Sequence, residues 1–210
     1  IERDERAPAG RRAVTNLVLM GSGEPLDNFE NVVAFLQTAT AADGLGISPR
    51  NISLSTCGIV PKIDAFINRA PHVTLSISLH AHSDEVRSSL MPINRAYPVA
   101  EVVAAAKRYA DATGRRVVFE YALIDGVNAA ESDADALAAL LRGMLCHVNL
   151  IPLNPVAERG LKGISRAEAN QFCDRLKARG VSATVRREMG ADIEGACGQL
   201  RRRILHEIRG

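Results

Sequence analysis

The chain reads as an α/β protein, a parallel sheet covered by helices, and three observations lead there. Short apolar runs alternate with amphipathic stretches over residues 14–186. Gly114, Gly143 and Gly180 stand just past three of the amphipathic stretches, where a left-handed residue closes a helix. Polar residues collect after the apolar runs, at what a parallel sheet would make a single end. With 210 residues, 47% of them hydrophobic, the chain suits one large domain with a sizeable core.

Strands are predicted over residues 14–20, 52–55, 73–79, 117–123, 148–153 and 183–186, where aliphatic residues dominate. Helices are predicted over residues 28–41, 61–69, 99–113, 132–142 and 166–179. Ser132 and Ser165 are placed to cap the last two at their N-termini. Residues 1–13 are charged and carry no core pattern, so they read as an irregular leader to a unit over 14–210. The chain opens with Ile1 rather than Met, and further residues of the same domain are expected upstream. No internal repeat stands out beyond the βα unit itself.

Charge and cysteine usage exclude several classes. The 26 basic residues nearly cancel the 24 acidic ones, and a net charge of +2 is no nucleic-acid signature. Arg115-Arg116, Arg186-Arg187 and Arg201-Arg202-Arg203 form local clusters that read as solvated surface unless a site lies nearby. No apolar run approaches the ~20 residues that cross a bilayer, and nothing reads as a signal peptide. A soluble, cytoplasmic protein is expected. Cys57, Cys146, Cys173 and Cys197 show no spacing of a metal cluster, so no metal ligands are assigned. A disulfide framework does not suit a large, core-rich chain of this kind. Cys146 and Cys173 read as structural; Cys57 follows a strand end directly and is left open.

The polar strand ends are the candidate site. Gly21-Ser22-Gly23-Glu24-Pro25 follows the first strand, Ser55-Thr56-Cys57-Gly58 the second, and Ser78-Leu79-His80 the third. The fifth ends in Asn149-Leu150-Ile151-Pro152-Leu153-Asn154-Pro155. Each has a plain structural reading as turn chemistry. Together, four polar ends on one rim read as a ligand site, because a parallel barrel brings them to one face. Near the C-terminus, Cys197 lies between Ala196 and Gly198, with Gly190 and Gly195 close by. Small flanks leave its sulfur unshielded, unlike a packing cysteine, and nearby arginines favour a thiolate.

These residues, in this order, resemble the RlmN family of radical S-adenosylmethionine (SAM) enzymes. The resemblance rests on Gly21-Ser22-Gly23-Glu24-Pro25-Leu26, on Ser55-Thr56-Cys57-Gly58-Ile59-Val60-Pro61 and on Ser78-Leu79-His80-Ala81. It continues through Arg87-Ser88-Ser89-Leu90-Met91-Pro92-Ile93-Asn94, Phe119-Glu120-Tyr121, Asp125-Gly126-Val127-Asn128, residues 148–155 and Ala196-Cys197-Gly198-Gln199-Leu200. It covers residues 14–200. Two departures stand out: Ser22 replaces the usual Met of the GMGEP motif, and the CxxxCxxC motif for a [4Fe–4S] cluster is not in this sequence.

The resemblance implies a partial (β/α) TIM-like barrel of the radical SAM type. It implies methylation of C2 of an adenosine in 23S rRNA, and in tRNA, by way of an S-methylcysteine. Adenine C2 is an electron-poor sp² carbon and cannot attack the SAM methyl group as a nucleophile, which is why a radical route is needed. Carried over by position, Glu24 would hold the SAM ammonium beside Gly23, and Ser55, Ser78, Leu79 and His80 would line the pocket. Asn154 would read the adenine or ribose, and Cys197 would carry the methyl group. SAM and a [4Fe–4S] cluster are the implied cofactors, with the cluster cysteines upstream of Ile1. An electron donor such as flavodoxin is an implied partner. The chain alone is therefore expected to be inactive. Two other readings share much of this pattern: a C8-adenine methyltransferase of the same superfamily, and a cluster-less module that binds SAM or RNA. A generic phosphate-binding barrel is disfavoured, since no glycine-rich cradle precedes a Lys and a Ser or Thr.

Overall fold

The computed structural model describes residues 14–21, 23–153 and 160–186. Six strands form one wholly parallel sheet: β1 (Leu17–Leu19), β2 (Ile52–Thr56), β3 (Thr74–Ser78), β4 (Val117–Leu123), β5 (Cys146–Pro152) and β6 (Ala183–Val185). Their order across the sheet is their order in the sequence. Parallel crossovers are right-handed, so an unbroken sequential order sends every connecting helix to the same side. A doubly wound sheet would reverse direction instead. The result is an open wall of a (β/α) barrel, as expected, with the described helices on one face.

The connecting helices are α1 (Phe29–Thr40), α2 (Val60–Arg69), α3 (Asp84–Leu90), α4 (Val99–Thr113), α5 (Glu131–Leu140) and α6 (Arg166–Ala178). Alternate strand residues build the core between helices and sheet. Ile52, Leu54, Leu75, Ile77, Leu79, Val117, Phe119, Tyr121, Leu123, Val148 and Leu150 are all fully buried. Facing them, Phe66 of α2 stacks on Tyr109 of α4 with ring centroids 6.2 Å apart, and Tyr121 of β4 stacks on Phe172 of α6 at 5.8 Å. The Tyr109 hydroxyl donates to the Val73 carbonyl at 2.8 Å, so its polar tip is satisfied in the core.

The helix boundaries follow the capping chemistry, with one correction. Ser165 caps α6 as predicted: its Oγ accepts from Glu168 N, and the Glu168 carboxylate accepts from Ser165 N at 2.8 Å. Gly180 has φ +81° beyond α6, with Gly180 N bonded to Lys177 O and Val181 N to Leu176 O. Gly114 closes α4 at φ +63°. Ser132, by contrast, is not a cap. Helix α5 begins one residue before it, because the Asp133 carboxylate reaches back to Ala130 N at 2.8 Å. The sequence reading also missed α3 and the 3₁₀ turns Pro25–Asn28, Pro49–Asn51 and Pro92–Arg95, which are too short to show a period. Cys146 opens β5 rather than preceding it, and Cys146 and Cys173 are buried packing residues. No helix of the described residues is long and apolar enough to cross a membrane.

The reciprocal cap makes a simple prediction. Ser165→Ala should lower stability by about 1 kcal/mol, read as a shift in urea midpoint without a change in slope.

Candidate functional site: the polar face of the sheet

The face of the sheet away from the helices is polar. Register places Ser53 beside Thr74, Ser55 beside Ser76, Ser78 beside Glu120, and Glu120 beside Asn149. Side chains in register across a parallel sheet point the same way, so these residues share the free face. Apolar residues share it as well: Val18, in register with Ser53 and 65% exposed, Val118 beside Ser76, and Ala122 beside Ile151.

Glu24 joins the first two strand ends. It precedes the Pro25–Asn28 turn, and its carboxylate accepts from Leu26 N at 2.9 Å through Oε1 and from Cys57 N at 2.6 Å through Oε2. Gly23, at φ +99°, takes a backbone conformation that side chains rarely adopt. A carboxylate offers about four lone-pair sites, so two acceptor sites remain on a group already fixed in place. Such a group suits an ammonium ion. The Cys57 thiol beside it is pushed up to about 12, by burial first and then by Glu24, so it stays protonated. That environment gives Cys57 no thiolate chemistry.

Arg87 of α3 ties the next strand ends together. It is fully buried, and each of its five N–H groups has an acceptor. Nε donates to Leu79 O at 3.1 Å; Nη1 donates to Asn94 Oδ1 at 3.0 Å and Tyr97 O at 3.2 Å. Nη2 donates to Cys57 O at 2.6 Å and Ser78 O at 3.1 Å. Asn94 is held in turn, donating to the Asp84 carboxylate at 3.0 Å and to Ser88 Oγ at 2.9 Å. Gly58 lies against this cluster at φ +99°; a Cβ there would meet Val102 at 3.1 Å and Arg87 Nη2 at 3.4 Å.

His80 sits where β3 turns away from β4. Among the described residues it is the one non-glycine with positive φ, +58°. Its Nδ1 accepts from Ala122 N at 3.0 Å, and its carbonyl accepts from the buried Asn128 at 2.7 Å. Asn128 also accepts from Ile124 N and donates to Ala122 O, both at 2.7 Å. The imidazole thus continues the β3–β4 ladder after the main chain has left it. Burial, and then the Arg87 charge, pull its pKa down to about 4. It is neutral, and acceptance at Nδ1 puts the proton on Nε2.

The residues singled out in the sequence therefore divide. Gly23, Glu24, Ser55, Ser78 and His80 line one rim and face. The Leu79 side chain is fully buried on the helix side, its N–H bonds Glu120 O at 3.0 Å, and its carbonyl serves Arg87. Asn154 and Cys197 lie outside the described residues, as do Arg187 and residues 201–203. Arg115 and Arg116 precede the start of β4, at the opposite end of the sheet, and Arg115 donates to Thr74 Oγ1. Sequence reasoning assigned no role to Arg87, Asn94, Asn128 or Glu120. A signal existed for the last: Glu120 interrupts an otherwise apolar strand.

Among the described residues no three His, Cys, Asp or Glu side chains come together to hold a metal. Cys57, Cys146 and Cys173 sit on separate elements as free thiols. These residues do not fit a [4Fe–4S] cluster.

Comparison with known proteins agrees with the fold and the motif order. Residues 2–138 match the family model of the radical SAM superfamily, and the chain belongs to that superfamily, whose cofactors are SAM and an iron–sulfur cluster. Within it, the chain is 53% identical over 194 residues to a probable dual-specificity RNA methyltransferase RlmN of Thermoanaerobacter sp. (strain X514), covering 92% of this chain and 57% of that protein. The crystal structure of a radical SAM methyltransferase from Sphaerobacter thermophilus superposes with a TM-score of 0.85 at 49% identity, over 91% of this chain and 56% of that one. A domain of pyruvate-formate lyase-activating enzyme from Bacteroides vulgatus shares the fold, with a TM-score of 0.63 at 19% identity, covering 83% of this chain and all of that one. The resemblance read from the motifs is thus to the right family. The chain spans little more than half the length of the curated relatives it matches.

Two predictions follow from the geometry. Arg87→Lys supplies three donors for five acceptors; at about 1–3 kcal/mol for each buried group left unpaired, urea unfolding should show a loss of about 3 kcal/mol. For His80, the folded pKa lies below the ordinary value of about 6.5. The unfolded chain then binds more protons between pH 6.5 and 4, so this contribution is complete above that window and lost as pH falls through it. His80→Asn, which tolerates positive φ, should flatten that part of the stability–pH curve relative to the unsubstituted protein.

Proposed function

We propose that this chain is the SAM-binding core of an RNA methyltransferase that modifies C2 of adenosine in 23S rRNA and tRNA. The observation that carries the reading is Glu24: a carboxylate fixed by two backbone N–H groups between strand ends, with acceptor sites left over. Similarity to the RlmN protein of Thermoanaerobacter supports the substrate class. In this reading residues 14–210 act as one unit behind an irregular leader.

Each residue has a proposed task. Glu24 accepts the SAM ammonium in a charge-assisted hydrogen bond, and Gly23 lets the backbone come close. Ser55 and Ser78 offer hydroxyls along the free face. His80, neutral with a proton on Nε2, closes the rim at β3 and β4, and Leu79 contributes its main chain there. Asn154 contacts the adenine or ribose. Cys197 takes the methyl group of one SAM by displacement: the sulfur forms the new S–CH₃ bond, the sulfonium bond breaks, and S-adenosylhomocysteine leaves. The thiol proton is released to solvent. The adenine must leave its stack to meet that group, and Arg186 with the arginines near Cys197 would meet phosphate. The proposed partners are 23S rRNA, tRNA and a flavodoxin-like electron donor, in the cytoplasm.

The test is nucleoside analysis of rRNA and tRNA from cells that carry only a Cys197→Ala form of the full-length protein. Loss of 2-methyladenosine is expected. Undiminished 2-methyladenosine would overturn the mechanism, and 8-methyladenosine from the unsubstituted protein would move it to the C8 enzymes.

A further inference from the structure

Arg87 satisfies main-chain carbonyls that the strand ladder leaves over, and a structural role accounts for that much. It does not account for which carbonyls they are. Thr56 and Ile77 form the last register pair of β2 and β3. Cys57 and Ser78 are the next residues along each chain, and Arg87 Nη2 bridges their carbonyls at 2.6 and 3.1 Å. Nε takes the carbonyl of Leu79, one residue further. One planar group with a fixed fork of donors therefore sets the separation of the two strand ends beyond their last pair.

The Cys57 side of that bridge leads to Glu24, whose carboxylate has two anchors of different kinds. Leu26 N is two residues away, in the Pro25–Asn28 turn that Glu24 itself begins, so it travels with Glu24. Cys57 N is 33 residues away, and its bond to Oε2 at 2.6 Å ties the carboxylate to the end of β2. Arg87 is held from behind in turn. Its Nη1 donates to Asn94 Oδ1, and Asn94 Nδ2 donates to Asp84 Oδ1, both at 3.0 Å. The same Asp84 oxygen accepts from Val99 N at 2.7 Å, at the start of α4. An unbroken run of bonded residues thus leads from α4 through Asp84, Asn94, Arg87 and Cys57 to Glu24. Arg87 is fully buried and Asn94 is 2% exposed, so water does not compete for the middle of the run.

We infer that Arg87 is a positioning residue for SAM binding: it acts through the main chain of Cys57 to aim the Glu24 carboxylate at the SAM ammonium, and Asn94 holds it in place. This rests on the reading in which Glu24 accepts that ammonium. A lysine at position 87 supplies a compact ammonium in place of the planar fork and cannot serve both strand ends and Asn94 in one plane. The end of β2 then shifts, Cys57 N withdraws from Oε2, and Glu24 keeps only its local anchor. The loss falls on ligands that carry an ammonium and spares those that do not.

The experiment is calorimetric titration of the full-length holoenzyme with two ligands: S-adenosylhomocysteine, which carries the ammonium, and 5′-methylthioadenosine, which lacks the amino-acid end. Four forms are compared, the unsubstituted protein, Arg87→Lys, Glu24→Gln and the double variant, each shown by a thermal melt to be folded. Glu24→Gln should weaken S-adenosylhomocysteine about 10-fold or more, the worth of a charged hydrogen bond, and Arg87→Lys about 5-fold or more. All four forms should bind 5′-methylthioadenosine within about twofold of one another, and the double variant should bind S-adenosylhomocysteine within about twofold of Glu24→Gln, because both changes act on one bond. Asn94→Ala should show the same selective loss, smaller at about 3-fold, and it decides the matter alone if Arg87→Lys does not fold. An undiminished affinity for S-adenosylhomocysteine in these position-87 and position-94 variants overturns the positioning role. Equal losses for both ligands, or losses that multiply in the double variant, overturn it as well and leave the Glu24 reading standing. Undiminished affinity in Glu24→Gln overturns the Glu24 reading and this inference with it.

Discussion

A buried guanidinium holds the rim of this sheet in shape. Arg87 has no carboxylate in direct contact; its five N–H groups meet four main-chain carbonyls and the amide oxygen of Asn94. Three of those carbonyls, on Cys57, Ser78 and Leu79, belong to residues at the ends of β2 and β3, where the ladder no longer satisfies them. Parallel strands that diverge into loops leave such groups unpaired, and each costs free energy if buried without a partner. One planar cation with a fixed fork of donors solves this for both ends at once. It also fixes their spacing. Cys57 accepts from Arg87 through its carbonyl and donates to Glu24 through its N–H, so the geometry of the Glu24 carboxylate is linked through one residue to Arg87.

The second constraint is topological. Because the strands follow one another in order, helices cover one face only, and the other face need not be apolar. The sequence responds strand by strand. In β2 the buried positions are Ile52, Leu54 and Thr56, while Ser53 and Ser55 alternate with them. In β4 Phe119 and Tyr121 pack on the helices and Glu120 points away from them. A carboxylate, several hydroxyls and an amide are compatible with a folded sheet because no described helix packs on that face.

Much of this was legible beforehand, and the gaps have physical causes. Aliphatic runs with amphipathic stretches between them identify strands and helices wherever an element is long enough to repeat its pattern, as in α4 and β4. Seven-residue α3 and the 3₁₀ turns are below that length, so the sequence pattern assigns no element to them. Glu24 and His80 stood out as polar residues after apolar strands, but their work did not. That Glu24 accepts from a residue 33 positions away, or that the His80 imidazole substitutes for a strand carbonyl, depends on register between strands. Arg87 was hidden for a different reason: on a short helix, a buried arginine and a surface arginine look alike in sequence. Asn154 and Cys197 were legible as motif residues and lie outside the described residues.

The electrostatics of the face follow from these parts together. Arg87 carries a positive charge, but all five of its N–H groups are taken up by four main-chain carbonyls and the Asn94 amide oxygen. His80 stays neutral, since its Nδ1 is taken up by Ala122 N and burial disfavours a second proton. Two carboxylates belong to the side away from the helices, Glu24 at the β1–β2 ends and Glu120 in the middle of β4, with Arg186 close enough to Glu120 to favour its ionised form. The two carboxylates lie about two strands apart, with Ser55 and Ser78 between them. The fixed carboxylate at the Glu24 end of the rim thus favours a cationic group before any shape is read.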